Sequence, residues 1–288
     1  MSSHPNELPN LGIRLHDSQP GSLRERAAAV SAQGFTCVHL ALGKVLGPAY
    51  MDPAAATPGL ASHVVNALYG LEVAVLGCYL NLAHPDEGEY GRIQDKYIAH
   101  LRMACWMKAG VVGTETGNPN AAYAYQPGVS HSEASLELFI RRLEPVVKTA
   151  EKLGAILAIE PVYTHIVSDG ARARRVLDAI ASPNLQIILD PVNLLHRDNL
   201  ARRDEVIAQA ISLLGKDTAV LHLKDCVVDA QGDVKSVAAG TGLMDYSAVL
   251  RFSRDNKPHI QMTFENTRPD NAQAAADHIR SLYMALGE

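Results

Sequence analysis

Short apolar runs alternate with helical stretches eight times along the chain, and this rhythm constrains the fold more than any other feature of the sequence. This is the rhythm of βαβ units and a parallel sheet, whose strands need a crossover connection, usually a helix. The runs fall at residues 11–15, 35–40, 73–80, 110–113, 155–160, 185–190, 218–223 and 260–265. Helices are expected between them over about 22–33, 58–70, 90–109, 132–153, 169 onward, 199–214, a stretch ending near 255, and the C-terminal segment. Ser22 and Ser168 have the side chains of N-caps, Asp169 suits a first helical turn, and Gly34 suits a stop. Trp106, the sole tryptophan, sits among apolar positions at helical spacing and is expected to pack inward.

Eight such units in 288 residues match an α/β architecture of the (β/α)8 barrel type, whose usual size is about 250 residues. No linker, low-complexity stretch or change of composition divides the chain, so residues 1–288 are expected to form a single barrel domain. An open doubly wound sheet is the alternative, and it normally carries a glycine-rich phosphate turn after its first strand. The segment here reads LHDSQPGS, which is no such turn.

Four runs in the second half end in side chains able to hold a metal: AILAIE at Glu160, LQIILD at Asp190, AVLHL at His222 and IQMTFE at Glu265. In a barrel the strand ends surround one mouth, so these four would converge there. Three carboxylates and an imidazole suit a hard divalent cation; Mn²⁺ is the first choice, with Mg²⁺, Co²⁺ and Zn²⁺ compatible. Any one of them alone could be a helix cap or a rim charge, and the inference rests on their conjunction.

Charge and cysteine usage narrow the partners. A net charge of -5 with mixed signs argues against a nucleic-acid surface, so a small-molecule substrate is expected. Cys37, Cys78, Cys105 and Cys226 are scattered, with no CxxC pair, and read as buried thiols. The opening MSSHPNELPN lacks a charged region followed by an apolar one, and no apolar run is long enough to cross a bilayer, so a cytoplasmic protein is the expectation.

The segments AIEPVY, LDPVN, HLKD and TFEN resemble the metal-dependent sugar isomerase and epimerase superfamily of xylose isomerase-like TIM barrels. Its members include ketose 3-epimerases, hydroxypyruvate isomerases, inosose dehydratases, xylose isomerases and endonuclease IV. The resemblance covers essentially the whole chain in strand order and is strongest from Glu160 onward. It implies that Glu160, Asp190, His222 and Glu265 ligate the metal and that Glu160 and Glu265 also form the acid/base pair. A metal holding adjacent carbonyl and hydroxyl oxygens acidifies the C–H bond between them and stabilises the cis-enediolate that results. Returning the proton to the opposite face gives an epimer, and returning it to the neighbouring carbon gives an isomer. The resemblance further implies a homo-oligomer. The chain departs from the 3-epimerases at Asn193, where they carry a histidine, and at HLKD, where an arginine follows a few residues later.

Further candidates are less specific. Asn81 and His84 after the third strand could bind substrate hydroxyls or merely shape a turn. Glu115 could touch substrate or form a loop salt bridge, and Asn193 and Lys224 lie beside expected ligands. Alternation turns neighbouring side chains to opposite faces, so Lys224 is expected to reach the pocket only if its strand has ended. His16 is ambiguous, and His39, within an apolar strand, reads as a satisfied buried histidine. Tyr123 and Tyr125 in the long loop after the fourth strand could stack on a sugar face or make surface contacts. The glycines of GTGLMDY, 240–246, suit either a close approach to a ligand or a plain turn.

The leading reading is thus a sugar or sugar-acid isomerase or epimerase. An inosose-type dehydratase shares the proton abstraction and then loses β-hydroxide. An endonuclease IV-type nuclease would need several additional histidines and a basic surface. A non-catalytic sugar-binding protein is the remaining alternative.

Overall fold

The computed structural model describes residues 8–286. The first half contains β1 (Asn10–Arg14), α1 (Leu23–Ala32), β2 (Cys37–Leu40), α2 (Leu42–Val45), α3 (Pro58–Ala67), β3 (Glu72–Gly77), α4 (Glu87–Met107), β4 (Val111–Glu115), α5 (Pro127–Ser130) and α6 (Glu133–Leu153). The second contains β5 (Leu157–Glu160), α7 (Gly170–Ile180), β6 (Leu185–Leu189), α8 (Arg203–Leu214), β7 (Thr218–Leu223), β8 (Asp225–Val228), β9 (Val234–Val237), α9 (Ser247–Asn256), β10 (Gln261–Phe264) and α10 (Ala272–Ala285). Eight parallel strands close into a barrel in the order β1-β10-β7-β6-β5-β4-β3-β2, and the doubly wound alternative is excluded.

Burial explains why these runs are apolar. Every residue of β2 and β5 is buried, as expected for strands covered by helices on one face and by one another on the inner face. Alternation then sorts the inward positions into layers. Cys37, Val75, Val111, Ala158, Ile188 and Val220 pack together as an inner cluster. One pleat further along the same strands stand His39, Gly77, Glu160, Asp190 and His222, and Glu115 of β4 is level with its register partner Glu160. A polar layer therefore lies directly over an apolar floor.

Glycine makes that floor possible. A Cβ on Gly113 would lie 2.5 Å from Val75 Cγ1 and 2.7 Å from Ile188 Cδ1, so larger residues have no room there. At Gly12 an added Cβ would meet the carbonyl oxygen and Sγ of Cys37, both at 2.5 Å.

The helix signals are mostly placed as expected. Ser22 caps α1 in a reciprocal capping box with Glu25, and Gly34 follows with a positive φ of 76°. At α7 the expectation is corrected: Asp169, not Ser168, is the N-cap, accepting from the Arg172 amide, while Ser168 is buried and donates to Asp169. The α4 helix begins three residues early, because Asp86 caps it through the Glu89 amide. Residues 78–80 belong to the loop after β3, and β4 extends on to Glu115.

Three other expectations change. The segment after β7 contains an antiparallel hairpin, β8 against β9, turning at Gly232 with φ 84°. Trp106 is 41% exposed, so packing does not account for it. Cys37, Cys78 and Cys226 are buried, but Cys105 lies on the surface of α4. No helix among the described residues is long and apolar enough to cross a membrane. Residues 1–7, which carry most of the N-terminal segment read above, lie outside the described residues.

Since Gly113 faces two side chains of the packed floor, Gly113→Ala is expected to cost about 1–3 kcal/mol by overpacking. Urea unfolding followed by circular dichroism measures this, and an unchanged midpoint would mean that the floor has slack.

Candidate metal centre and active site

The polar layer is assembled by strand geometry alone. Glu160 is the last residue of β5, Asp190 and Glu265 directly follow β6 and β10, and His222 is the fifth residue of β7. All four side chains are buried, Asp190 and His222 completely. Each offers one ligand atom, and the four atoms lie within 4.8 Å of one another. His222 Nδ1 stands 3.3 Å from Glu160 Oε1 and 3.4 Å from Glu265 Oε1. Atoms ligating one cation at about 2.0–2.2 Å are separated by such distances, so the cluster fits a single metal ion.

Neighbouring groups orient each of the three carboxylates. Asn193 Nδ2 donates to Glu160 Oε1 at 2.6 Å, and the Tyr79 hydroxyl donates to Glu160 Oε2 at 3.4 Å. Asp190 Oδ1 accepts from the amides of Val192 and Asn193, leaving Oδ2 to a side chain. Lys224 Nζ lies 3.0 Å from that oxygen and 3.1 Å from Glu265 Oε2. Arg14 approaches the other oxygen of Glu265 at 3.4 Å and is itself held by Asp17 at 2.6 Å.

Burial and mutual repulsion shape the protonation of this cluster. Burial would lower His222, but Glu160 and Glu265 beside it prevail and raise it to about 9. Burial raises Asp190 to about 6, against the pull of Lys224. Glu265 is also desolvated, yet Lys224, His222 and Arg14 together hold it below the usual carboxylate range. Glu115 has no such cation in contact; burial, then Glu160 and Glu265, push it up to about 7.

A cavity of about 440 Å³ opens beside the cluster. Glu265, Glu115, Tyr79, His39 and Arg14 form its polar wall, and Ala41, Pro48 and Met51 its apolar one. Lys44 and His16 stand at its edge, with Lys44 Nζ 3.4 Å from His16 Nε2. Burial, then Lys44, lowers His16 to about 4, which keeps its imidazole neutral.

Among the expected contact residues, Glu115, Asn193 and Lys224 are brought to the centre, whereas Asn81 and His84 are not. Asn81 spends its whole amide on loops, donating to the carbonyls of Asn118 and Asn120 and accepting from the amides of Ala83 and Asn118. His84 accepts from the Asp86 amide, outside the cavity lining. Asn81 thus shapes the long loop after β4, and neither residue lines the cavity.

The condition set for Lys224 is met: β7 ends at Leu223, and the lysine reaches the pocket. Residues two apart share a face, so His222 and Lys224 both point into the mouth. His39 is buried as expected but not satisfied: neither ring nitrogen has a hydrogen-bond partner, and the ring is stacked between Tyr79 and His222. Tyr123 donates to Glu115 at 3.2 Å, while Tyr125 packs with His131 and Tyr163 instead. In HLKD, Asp225 is structural, accepting from the amides of Cys226, Gly240 and Met244 and so tying down the GTGLM turn.

Sequence reasoning passed over Arg14 and Tyr79. Arg14 ends β1 as Glu160 ends β5, a signal that strand-end charges of either sign would have supplied. Tyr79 lies past the end of β3, where only the loop path directs it inward.

No curated protein matches the sequence. Solved structures do match the fold. A 3-keto-D-glucoside 4-epimerase from E. coli is 17% identical with a TM-score of 0.70, covering 95% of this chain and 98% of its own. The IolI protein, solved with a binding zinc atom, is 15% identical with a TM-score of 0.70, covering 96% and 95%. A probable 3-DHS dehydratase from Bacillus anthracis is 14% identical with a TM-score of 0.67, covering 97% and 99%. The family model described as xylose isomerase-like TIM barrel matches residues 27–282. A closed eight-stranded parallel barrel and a sequence match across most of its length establish that this chain belongs to the xylose isomerase-like TIM barrel family.

Proposed function

We propose that the chain is a divalent-metal-dependent isomerase or epimerase of a small sugar or sugar derivative, with Mn²⁺ as the first candidate ion. The observation that carries this reading is the buried four-donor cluster, one glutamate of which lines the cavity while the other is hydrogen-bonded to a tyrosine of its wall. A divalent cation held there would polarise a carbonyl and its neighbouring hydroxyl, making the C–H between them acidic.

The remaining chemistry falls to the chain's own groups. Asn193 and Tyr79 hold Glu160 at both oxygens, and Lys224 and Arg14 hold Glu265 at both of its own. Two carboxylates fixed on either side of His222 suit a pair that removes a proton from one position and returns one at another. The cavity wall is mixed, as a sugar with hydroxyl edges and C–H faces requires.

A dehydratase is the second reading, favoured by Glu115. Raised to about 7, its carboxyl is partly protonated near neutrality and could donate to a departing hydroxide. Among the described residues the metal-capable groups share His222 and Glu265 between them, so a three-metal nuclease centre has too few ligands.

The test is incubation with Mn²⁺ in D₂O against a panel of ketoses, keto-glycosides and inososes, followed by NMR. Deuterium appearing beside the carbonyl with a shifted epimer or isomer ratio is the expected result, an enone marks the lyase, and no exchange with any substrate would sink the proposal. Glu160→Gln and Glu265→Gln are each expected to lower turnover by about 10²–10⁴-fold with unchanged circular dichroism. Full activity in either would remove that residue from the acid/base pair.

Cation binding should depend on pH in a defined sense. The metal-free centre keeps His222 protonated up to about 9, so an entering ion must displace that proton. Near pH 7 about one proton should be released per ion, and affinity should rise about tenfold per pH unit until pH passes the His222 value. Below about 6 the protonation of Asp190 should steepen the loss. Calorimetric Mn²⁺ titrations in buffers of different ionisation heat would measure this; a binding constant flat from pH 6 to 8 contradicts it.

A further inference from the structure

We propose that Lys224 is the internal counter-cation of the metal centre, a positioning residue that weakens and tunes cation binding by sharing the carboxylates of Asp190 and Glu265. This inference rests on the metal-centre reading above and adds a determinant of that centre's affinity.

Lys224 follows β7 by one residue, on the same face as His222, and is 5% exposed. Its ammonium bridges Asp190 Oδ2 and Glu265 Oε2 at 3.0 and 3.1 Å, the two oxygens that the backbone amides and Arg14 leave open. Neighbouring contacts fix its backbone: the Tyr246 hydroxyl donates to the Lys224 carbonyl at 3.0 Å, and the Glu265 amide to the Leu223 carbonyl at 3.0 Å. These contacts fix the backbone from which the buried side chain reaches both carboxylates.

The charges point the same way. Glu160, Asp190 and Glu265 carry three negative charges when ionised, and a divalent ion alone would leave one uncompensated in a buried site. Lys224 supplies the missing positive charge, while Arg14 is offset by its own pair with Asp17. The balance has a cost in affinity, because an ammonium bonded to two ligand carboxylates repels the ion that those carboxylates attract. A lysine that merely propped the ligands in place would act in the opposite sense, since its removal would loosen the cage.

Lys224→Met and Lys224→Gln remove the charge, and Lys224→Arg retains it. Mn²⁺ titrated calorimetrically into metal-free protein is expected to bind about tenfold or more tightly to the first two. The arginine variant should stay within a few-fold of wild type. Equal or weaker binding in both neutral variants would overturn the proposal. So would the failure of both to fold by circular dichroism, which would assign the lysine to the fold instead. Wild-type protein that binds none of Mn²⁺, Co²⁺ or Zn²⁺ would remove the metal-centre reading itself, whereas wild-type binding without tightening in the variants would remove this inference alone.

Discussion

Three carboxylates buried around one histidine are a charge problem, and much of the barrel mouth is arranged around it. Unpaired ionised carboxylates are expensive away from water, so each must find cations or donors. Glu160 finds Asn193 and Tyr79, Asp190 finds two backbone amides and Lys224, and Glu265 finds Lys224 and Arg14. What these contacts leave is a set of four donor atoms within 4.8 Å of one another. Glu115, which stands at the same level without a cation in contact, shows the alternative outcome: burial, then Glu160 and Glu265, push it up to about 7.

The barrel supplies the means to concentrate charge in this way. Parallel strands bring every second side chain to the axis, and these inward residues stack in layers to which alternate strands contribute, so the ends of successive strands crowd their polar groups together at the mouth. Glu115 and Glu160 are direct register partners on β4 and β5, as are Arg14 and His39 on β1 and β2. Beneath them, glycines and small apolar residues close the barrel tightly enough that nothing in the polar layer can sink into the core. The loops add direction: Asn81 clasps the loop after β4, and that loop in turn carries Tyr123 to Glu115.

Glu160, Asp190, His222 and Glu265 were legible because a charged or ionisable side chain at the end of a buried run has few reasons to be there. The same logic read for cations would have found Arg14. Lys224 was within reach of period-two counting. Asn81 was not, because an amide saturated by the carbonyls of Asn118 and Asn120 looks in sequence like one free to bind a hydroxyl. The hairpin of β8 and β9 hid in a polar segment, since strands with exposed residues lack the apolar contrast that marked the barrel strands. Trp106 misled because helical spacing shows which residues share a face but not whether that face is covered.

By itself the sequence determined the eight-fold strand and helix alternation, the ends at which the chemistry would lie, and the donor types that would meet there. These are local properties, set by periodicity, caps and residue chemistry. Tertiary structure alone decided how the charges are shared: that Lys224 bridges two ligands, that Asn193 holds Glu160, that His39 lies unpaired between Tyr79 and His222, and that Asn81 turns away. Such pairings join residues brought together by barrel closure, and their distances depend on the register and path of several strands and loops at once.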